Sequence, residues 1–328
     1  MPRVLIADKL EAAGLDMLRQ AGIELDERAG LKGDALKEAF RAADGMVVRS
    51  GTTVTADLLE KPGKLRVVVR AGVGVDNIDV GAATRKGILV MNTPGGNTVS
   101  TAEQTITLLM ALARNVPAAD AHVHSAPAKW ERAKFTGTQL SGKVLGVVGL
   151  GRIGREVARR AAGLDMKVIG HDPFLAPAGA AQLGIETTAD LAALLPRCDF
   201  LTVHTPLTDE TRDLIGAAQI AKMKKGARVI NCARGGIINE AALVDALRSG
   251  HLAGAALDVF VQEPQPAGQV HVEPHLVQLG PVHGRHVDGE ADHAARQEID
   301  EQLRRLPGHR KLGLDCRGAE VRRDDDIG

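Results

Sequence analysis

One stretch constrains the fold of this chain more than any other, and it spans residues 143–154, K-V-L-G-V-V-G-L-G-R-I-G. An apolar run typical of a buried strand leads into Gly149, Gly151 and Gly154, and an amphipathic helical pattern follows. Gly149 would permit a tight turn, Gly151 would let a pyrophosphate approach the backbone, and Gly154 would let the helix pack closely on the strand. The helix N-terminus would offer free N–H groups to the phosphates. This pattern predicts a dinucleotide-binding site.

A carboxylate follows this stretch at a suitable distance. Residues 167–170 predict the next strand, which runs into His171 and Asp172, and Asp172 lies 18 residues past Gly154. An acidic side chain at about this distance binds the ribose hydroxyls of NAD in dinucleotide-binding folds. No Arg follows Asp172 immediately, and this favours NAD over NADP as the cofactor.

The alternation of strand and helix patterns predicts the fold class. Strands are predicted at 4–7, 45–49, 65–70 and 88–91 before the glycine stretch, and again at 200–204, 228–232 and 254–260 after it. A chain of 328 residues is long enough for two domains. We therefore expect an α/β protein with two Rossmann-like, doubly wound parallel-sheet domains and a cleft between them. The first domain would span residues 1–95 and the second 96–289, with 290–328 as a candidate completion of the first.

Composition excludes several classes of partner. The 41 basic and 41 acidic residues balance, so the chain has no electrostatic footprint for nucleic acid or for an anionic membrane. It has no run of 18 apolar residues that would cross a membrane. Cys198, Cys232 and Cys316 are few and far apart, which fits neither a metal site nor a disulfide framework. We expect no bound metal and a reducing, cytoplasmic location.

Residues 98–115 predict a long helix that is apolar on most sides and ends at Asn115-Val116-Pro117. A helix of this kind is buried either between domains or in a subunit interface. The second interpretation is the basis for expecting a homodimer.

Polar residues at predicted strand ends are candidates for chemistry, because ligands bind beyond the carboxyl ends of parallel strands. Arg234 lies between Ala233 and two glycines that leave room for a substrate; the other interpretation is a salt bridge. Asp258 ends a buried strand, and a buried acid requires a ligand or a fixed partner. Glu263 follows that strand in V-Q-E-P, where a Glu is more often a surface residue.

Several motifs occur in order along residues 3–265. They are R-A-G-V-G-V-D-N-I-D (70–79), N-T-P-G-G-N (92–97), K-W-E-R-A-K-F-T-G-T-Q-L-S-G-K (129–143), G-L-G-R-I-G, V-H-T-P-L-T (203–208), N-C-A-R-G-G (231–236) and A-L-D-V-F-V-Q-E-P (256–264). Together they resemble the D-isomer-specific 2-hydroxyacid dehydrogenases. The resemblance implies hydride transfer between NAD and a small 2-hydroxy or 2-oxo acid, with the first domain binding the substrate.

The resemblance also implies roles for the matching positions. Arg234, Glu263 and a histidine would form the catalytic set, with the histidine moving the proton and Glu263 keeping the ring charged. The cofactor would be bound by Gly149, Gly151, Arg152, Ile153, Gly154, Asp172, His204, Thr205, Pro206, Cys232, Ala233 and Asp258. The substrate would be bound by Arg49, Ser50, Arg70, Gly72, Val73, Gly74, Asn97, Arg132 and Lys134, of which the basic residues would meet a phosphate.

The chain departs from the family pattern after Pro264. If Glu290-Ala291 are aligned with the Glu-Ala of the family, the catalytic histidine is His283. His275, in P-H-L, is a second candidate, and the absence of a functional histidine is a third interpretation. Out-of-frame codons for residues 304–310 allow a sequence similar to the family's usual C-terminal helix, which suggests a shifted reading frame in this tail.

Three functions stay open at this stage. The motifs are most similar to enzymes that oxidise 3-phospho-D-glycerate to 3-phosphohydroxypyruvate, the first step of serine biosynthesis. Another D-2-hydroxyacid dehydrogenase, such as a glyoxylate/hydroxypyruvate reductase, is the alternative within this class. A catalytically impaired, corepressor-like protein that binds NAD without turnover is the alternative outside it.

Overall fold

The computed structural model describes residues 1–125, 131–175 and 184–262 and the short strand Leu276–Gln278. Within this part of the chain two parallel sheets are present, and helices alternate with their strands. The arrangement confirms the predicted α/β class with two Rossmann-like parallel-sheet domains. No helix among the described residues is long and apolar enough to cross a membrane.

The first sheet has the order β2-β1-β3-β4-β5, which is the order of flavodoxin-like sheets. Its strands are β1 (Arg3–Ile6), β2 (Glu24–Glu27), β3 (Gly45–Val48), β4 (Val67–Arg70) and β5 (Leu89–Asn92). The helices between them are α1 (Ala12–Gln20), α2 (Gly33–Ala42), α3 (Ala56–Glu60) and α4 (Val80–Arg85). Phe40, Met46 and Leu59 are fully buried in the core beneath this sheet.

Strand β2 was not predicted, and its position explains why. Its sequence, E-L-D-E, has no apolar run, because β2 lies at the edge of the sheet and pairs only with β1 in the described part of the chain. Asp26 forms ion pairs with Arg3 and Arg28 at 2.9 and 2.6 Å, so the strand is stabilised by charge as well as by burial. Charged side chains on an edge strand also discourage pairing with other molecules.

The long helix predicted at 98–115 is α5 (Thr98–Ala113), and a second helix, α6 (Val116–Ser125), follows it. Asn115 has a φ of 55°, and this left-handed residue breaks the helix before Pro117. Pro117 then lies in the first turn of α6. The N–H groups of a first turn have no acceptor within the helix, so a Pro there removes no hydrogen bond. The prediction that the helix ends at Asn115-Val116-Pro117 is confirmed, and α6 was not predicted.

The second sheet has the order β12-β11-β10-β9-β6-β7-β8 in the described part of the chain. Its strands are β6 (Val144–Val148), β7 (Lys167–His171), β8 (Glu186–Thr188), β9 (Phe200–Val203), β10 (Ala227–Asn231), β11 (Leu252–Leu257) and β12 (Leu276–Gln278). The helices are α7 (Arg152–Ala162), α8 (Leu191–Leu194), α9 (Ala217–Ile220) and α10 (Glu240–Arg248). The chain reverses direction across the sheet between β6 and β9, which is where such sheets bind ligands.

Both faces of the second sheet are covered, so its strands are almost continuously apolar. On one face the buried side chains of α5 and α7, including Leu109 and Val157, pack with Phe200. On the other face Leu243 of α10 packs with Leu194 and Leu201. The boundary near residue 95 and the completion of the first domain by 290–328 stay predictions, and residues 290–328 lie outside the described part.

Candidate active site

The glycine turn after β6 has a separate steric reason for each glycine. Gly149 has a φ of +93°, and a Cβ there would lie 2.8 Å from the carbonyl carbon and oxygen of His204. A Cβ on Gly154 would overlap the carbonyl oxygen of Gly149, so the helix could not approach the strand. A Cβ on Gly151 would meet no atom within 4 Å. Gly151 is therefore not needed for packing, and the space above it is open to a ligand.

The N-terminus of α7 faces that open space. Gly151 is the N-cap residue and makes no side-chain cap, and Arg152 and Ile153 form the first turn. Free N–H groups and the positive end of the helix dipole are suited to a pyrophosphate. The three glycines and this helix end therefore fit a dinucleotide.

Asp172 lies immediately after β7, beside the glycine turn. Its Oδ2 accepts a hydrogen bond from the backbone N–H of Leu150 at 2.9 Å, and its Oδ1 accepts one from that of Phe174 at 2.9 Å. These bonds fix the carboxylate against the turn, and a carboxylate has further lone pairs for ribose hydroxyls. A 2′-phosphate would meet this negative charge, which is the physical reason for favouring NAD over NADP.

The residues after β9 form an uncharged wall of the same space. Burial lowers the pKa of the His204 imidazole to about 4, so the ring is neutral at pH 7, and its Nε2 lies 3.0 Å from the Thr202 hydroxyl. The Thr205 hydroxyl is buried and has no hydrogen-bond partner among the described residues. A buried hydroxyl without a partner costs free energy, so this atom suits a bound ligand. The carbonyl of Pro206 is already taken by the Thr211 hydroxyl at 2.6 Å.

Asn231 shapes the turn that presents Arg234, and it was missed in the sequence. Its side-chain amide donates to the carbonyl of Arg234 at 2.8 Å and accepts from the N–H of Ala233 at 3.0 Å. Cys232 is buried beside it. Asp258 follows β11, and its N–H donates to the carbonyl of Asn231 at 2.9 Å. The ends of β10 and β11 are thereby held together.

Arg234 extends from this turn to the first sheet's side of the molecule. Its Nε donates to Oδ2 of Asp76 at 2.8 Å, and its Nη1 donates to the carbonyl of Ala233 at 2.7 Å. The salt bridge considered from the sequence is therefore present. It does not remove Arg234 from the cleft, because Asp76 belongs to the loop that carries Gly72–Gly74.

The Gly72–Gly74 loop presents donors to the same cleft. The carbonyl of Val73 accepts from the Asn92 amide at 2.6 Å, and the N–H of Gly72 donates to the carbonyl of Arg70 at 2.9 Å. The N–H groups of Val73 and Gly74 have no acceptor within the described residues. These two N–H groups, rather than that of Gly72, are available to donate to a ligand.

Arg70 adds a half-buried cation beside this loop. Burial, followed by the nearby charge of Arg234, lowers the pKa of the Arg70 guanidinium below its ordinary value. Its Nε is buried and has no hydrogen-bond partner in the described part of the chain. Two guanidinium groups that lie close together with unused donors form a site that suits an anion.

A buried acid, Asp8, holds the Arg49–Ser50 loop, and it too was missed in the sequence. Oδ2 of Asp8 accepts from the N–H groups of Arg49 and Thr52 at 2.5 and 3.1 Å, and Oδ1 accepts from the Thr52 hydroxyl at 2.8 Å. Arg49 and Ser50 are exposed at the tip of this loop. The loop is therefore fixed while its tip stays open to a ligand.

The other predicted substrate residues are less closely grouped. Asn97 caps α5 by its backbone only, so its exposed side chain makes no cap bond. Arg132 and Lys134 lie on a short 3₁₀ turn, Arg132–Phe135, where Lys134 contacts Glu131 at 4.0 Å and the ring of Phe135. The structure thus groups Lys134 with its own segment and not with Arg70. Glu263 and His283 lie outside the described residues.

Two parallel sheets, a dinucleotide turn and two neighbouring arginines fit a dinucleotide-binding protein that can also bind a small anion. The sequence model of the D-isomer specific 2-hydroxyacid dehydrogenase NAD binding domain matches residues 106–281. The chain belongs to this family, and its cofactor is NAD.

Named relatives agree with this membership. The chain is 50% identical to D-3-phosphoglycerate dehydrogenase of Pongo abelii over 84% of this chain and 52% of the relative. It is 44% identical to that of Methanocaldococcus jannaschii over 93% of this chain and 57% of the relative. The chain thus spans about half the length of these relatives. A solved glyoxylate reductase from Paecilomyes thermophila is 28% identical, with a TM-score of 0.79 over 92% of this chain and 94% of that one.

The glycine geometry predicts different defects at two neighbouring positions. Gly151→Ala should change the free energy of unfolding by no more than about 1 kcal/mol, because its Cβ meets only open space and Ala is a somewhat poorer N-cap. It should raise the Kd for NADH more than about tenfold, or about 1.4 kcal/mol, by blocking the pyrophosphate. Gly154→Ala should instead lower the melting temperature, since its Cβ overlaps Gly149.

Calorimetric titration with NADH and thermal unfolding of both variants measure this difference. Gly142→Ala is the control, because Gly142 is an exposed glycine outside this turn. Its φ of +77° strains an alanine, so this variant should lose stability while its Kd for NADH stays unchanged. Tight NADH binding by Gly151→Ala would contradict the assignment of the open space to the cofactor.

Proposed function

We propose that the protein oxidises 3-phospho-D-glycerate to 3-phosphohydroxypyruvate with NAD, the first step of serine biosynthesis. The observation that carries the proposal is the arrangement of Arg234, Arg70 and the free N–H groups of Val73 and Gly74 around one cleft. The dinucleotide turn supplies the cofactor side of that cleft. The names of the relatives, D-3-phosphoglycerate dehydrogenases, support the choice of substrate.

The substrate carboxylate would lie against Arg234 and the N–H groups of Val73 and Gly74, with the Asn97 amide beside it. Charge-assisted bonds of this kind are stronger than neutral ones and orient a planar carboxylate. The phosphate would be bound by Arg49, Ser50 and Arg70. Arg132 and Lys134 lie on a separate segment, and their role in substrate binding stays a prediction. Arg234 would also polarise the oxygen on C2 as the carbonyl forms.

The bound NAD supplies the acceptor for the hydride that leaves C2. The proton of the C2 hydroxyl needs a base, and we assign this base to His283, with Glu263 holding and charging the ring. The side chains that line the cofactor space are Thr205, Pro206, Cys232, Ala233 and Asp258. Neutral His204 leaves this wall without a positive charge.

A homodimer in the cytoplasm fits the surface of the second domain. Val99 and Met110 on α5 are 49% and 43% exposed, and half-buried Ile106 lies between them at helical spacing. Val123 on α6 is 53% exposed. We assign these residues to the subunit interface. The buried Cys198 thiol forms no disulfide, which supports a reducing compartment.

Substrate choice is tested by comparing 3-phosphohydroxypyruvate with unphosphorylated hydroxypyruvate and glyoxylate, using NADH. The phosphorylated substrate should have the highest kcat/KM. Arg49→Met should raise its KM about tenfold or more, because a charge-assisted bond to phosphate contributes about 1.5–3 kcal/mol, and should leave hydroxypyruvate nearly unchanged. Arg85→Met, an exposed arginine on α4, is the matched control. A preference for hydroxypyruvate or glyoxylate would refute the phosphate assignment, and NADH binding without any turnover would favour the corepressor-like alternative.

The base is tested with two matched histidine variants. His283→Ala should lower kcat by about 10²–10⁴, which is the usual contribution of a positioned acid–base group, with the Kd for NADH within about twofold of wild type. His275→Ala should leave kcat within about threefold. A large loss in His275→Ala alone would transfer the role to that residue, and full activity in both variants would exclude both.

The dimer is tested by analytical ultracentrifugation. The wild-type protein should sediment as a dimer at micromolar concentration. Met110→Glu should raise the dissociation constant by about tenfold or more, because it places a charge in an apolar interface. Met17→Glu, which alters a 39% exposed methionine on α1, should leave it unchanged. A wild-type monomer would contradict the assignment.

A further inference from the structure

An ion pair joins the two parts of the chain that form the two sheets. Arg234 follows β10 of the second sheet, whereas Asp76 lies in the loop after β4 of the first. Nε of Arg234 donates to Asp76, and Nη1 donates to the carbonyl of Ala233. Two of the three guanidinium nitrogens are therefore engaged. Nη2 has no acceptor within the described residues, so it is the edge that remains for a ligand.

Gly74 shows where this free edge lies. A Cβ on Gly74 would overlap Nη2 of Arg234 and would lie 2.5 Å from Oδ2 of Asp76. The ion pair therefore fits beside Gly74 only because this residue has no side chain. It also leaves Nη2 close to the backbone of Gly74, and the N–H groups of Val73 and Gly74 have no acceptor within the described residues.

The charges around the cleft explain why Arg234 needs a partner there. Arg234 and Arg70 are close enough for the charge of Arg234 to lower the pKa of Arg70, and Asp76 acts in the opposite direction. Two guanidinium groups repel each other, so Arg234 without Asp76 would favour side-chain conformations that point away from Arg70. The carboxylate offsets this repulsion while it holds the guanidinium through Nε.

The ion pair between Arg234 and Asp76 contributes little to the stability of the fold. The side chains of Arg234 and Asp76 are 36% and 45% exposed, and exposed pairs typically contribute no more than about 1 kcal/mol. What the pair does fix is the orientation of one planar group. A guanidinium held at Nε presents its Nη2 edge in one direction.

We infer that Asp76 is a positioning residue: it holds Arg234 by Nε so that the Nη2 edge meets the substrate carboxylate. The inference rests on the proposed function of Arg234 as the carboxylate-binding residue. It adds that the first domain determines the orientation of a side chain that belongs to the second. The substrate carboxylate would then bind where the two domains meet.

The test uses Asp76→Asn, Asp76→Glu and Asp34→Asn in the full-length protein. Asp34 is an exposed acid in the first turn of α2 and controls for the loss of one negative charge. Asp76→Asn should raise the KM for the 2-oxo acid about tenfold, with the KM for NADH within about twofold. Asp76→Glu should recover most of the loss, and Asp34→Asn should match wild type. The melting temperature of Asp76→Asn should stay near that of wild type.

Binding provides a readout that does not depend on turnover or on the phosphate. Calorimetric titration of the NADH-saturated protein with D-glycerate and with 3-phospho-D-glycerate should show the same loss of about tenfold for Asp76→Asn. Both probes carry the carboxylate, so an equal loss places the effect there. Tighter binding after Asp76→Asn would overturn the inference, because it would mean that Asp76 only repels the anion.

A double-mutant cycle separates this inference from the proposed function. Arg234→Lys removes the guanidinium Nε that Asp76 holds. Adding Asp76→Asn to this variant should therefore cost little further affinity. If Arg234→Lys has no effect by itself, the proposed role of Arg234 fails. If Arg234→Lys weakens binding while Asp76→Asn has no effect, or the two losses add, then only the positioning role of Asp76 fails.

Discussion

The close contact between Gly154 and Gly149 is the constraint on which the second domain depends. It lets the first turn of α7 lie directly on the end of β6, and the backbone of His204 closes against Gly149 from the other side. Val157 and Ala161 of α7 are then buried with Leu109 of α5, so the same contact fixes two helices on one face of the sheet. It also points the helix N-terminus at the place where the strand order reverses. The contact between Gly154 and Gly149 therefore determines both the packing of α7 and the direction of its N-terminus.

Much of the fold could be predicted because buried parallel strands are visible as apolar runs. The apolar run before Gly149 is strand β6, and the bounds predicted for β3, β7 and β9 differ from the structure by one residue at the carboxyl end. The failures have physical causes. β2 is a charged edge strand stabilised by ion pairs, so it has no apolar run to detect. α6 was missed because Pro117 ends one helix and begins another equally well.

The cofactor side of the site was predictable for a similar reason, since the glycine spacing and the position of Asp172 are local in sequence. The residues that support the substrate side were not. Asp8 holds a loop 41 residues away, and Asp76 meets Arg234 across 158 residues. No local pattern reports such pairs. The only signal in the sequence was that Asp8, Asp76 and Asn231 lie at strand ends or in the loops that follow them. Ligands bind beyond the carboxyl ends of parallel strands, so polar residues there are candidates for a site.

Asn231 links the interior of the second sheet to the turn that carries Arg234. It is the last residue of β10 and is paired in register with Val203 and Leu257, so it takes part in the interior of the sheet. Its side chain closes the turn that leads to Arg234. A shift in core packing beneath β10 would therefore move the guanidinium, and selection acting on the position of Arg234 would also act on the interior of the sheet. In this protein the freedom of the core to accept substitutions is limited by the geometry of the cleft, several residues away.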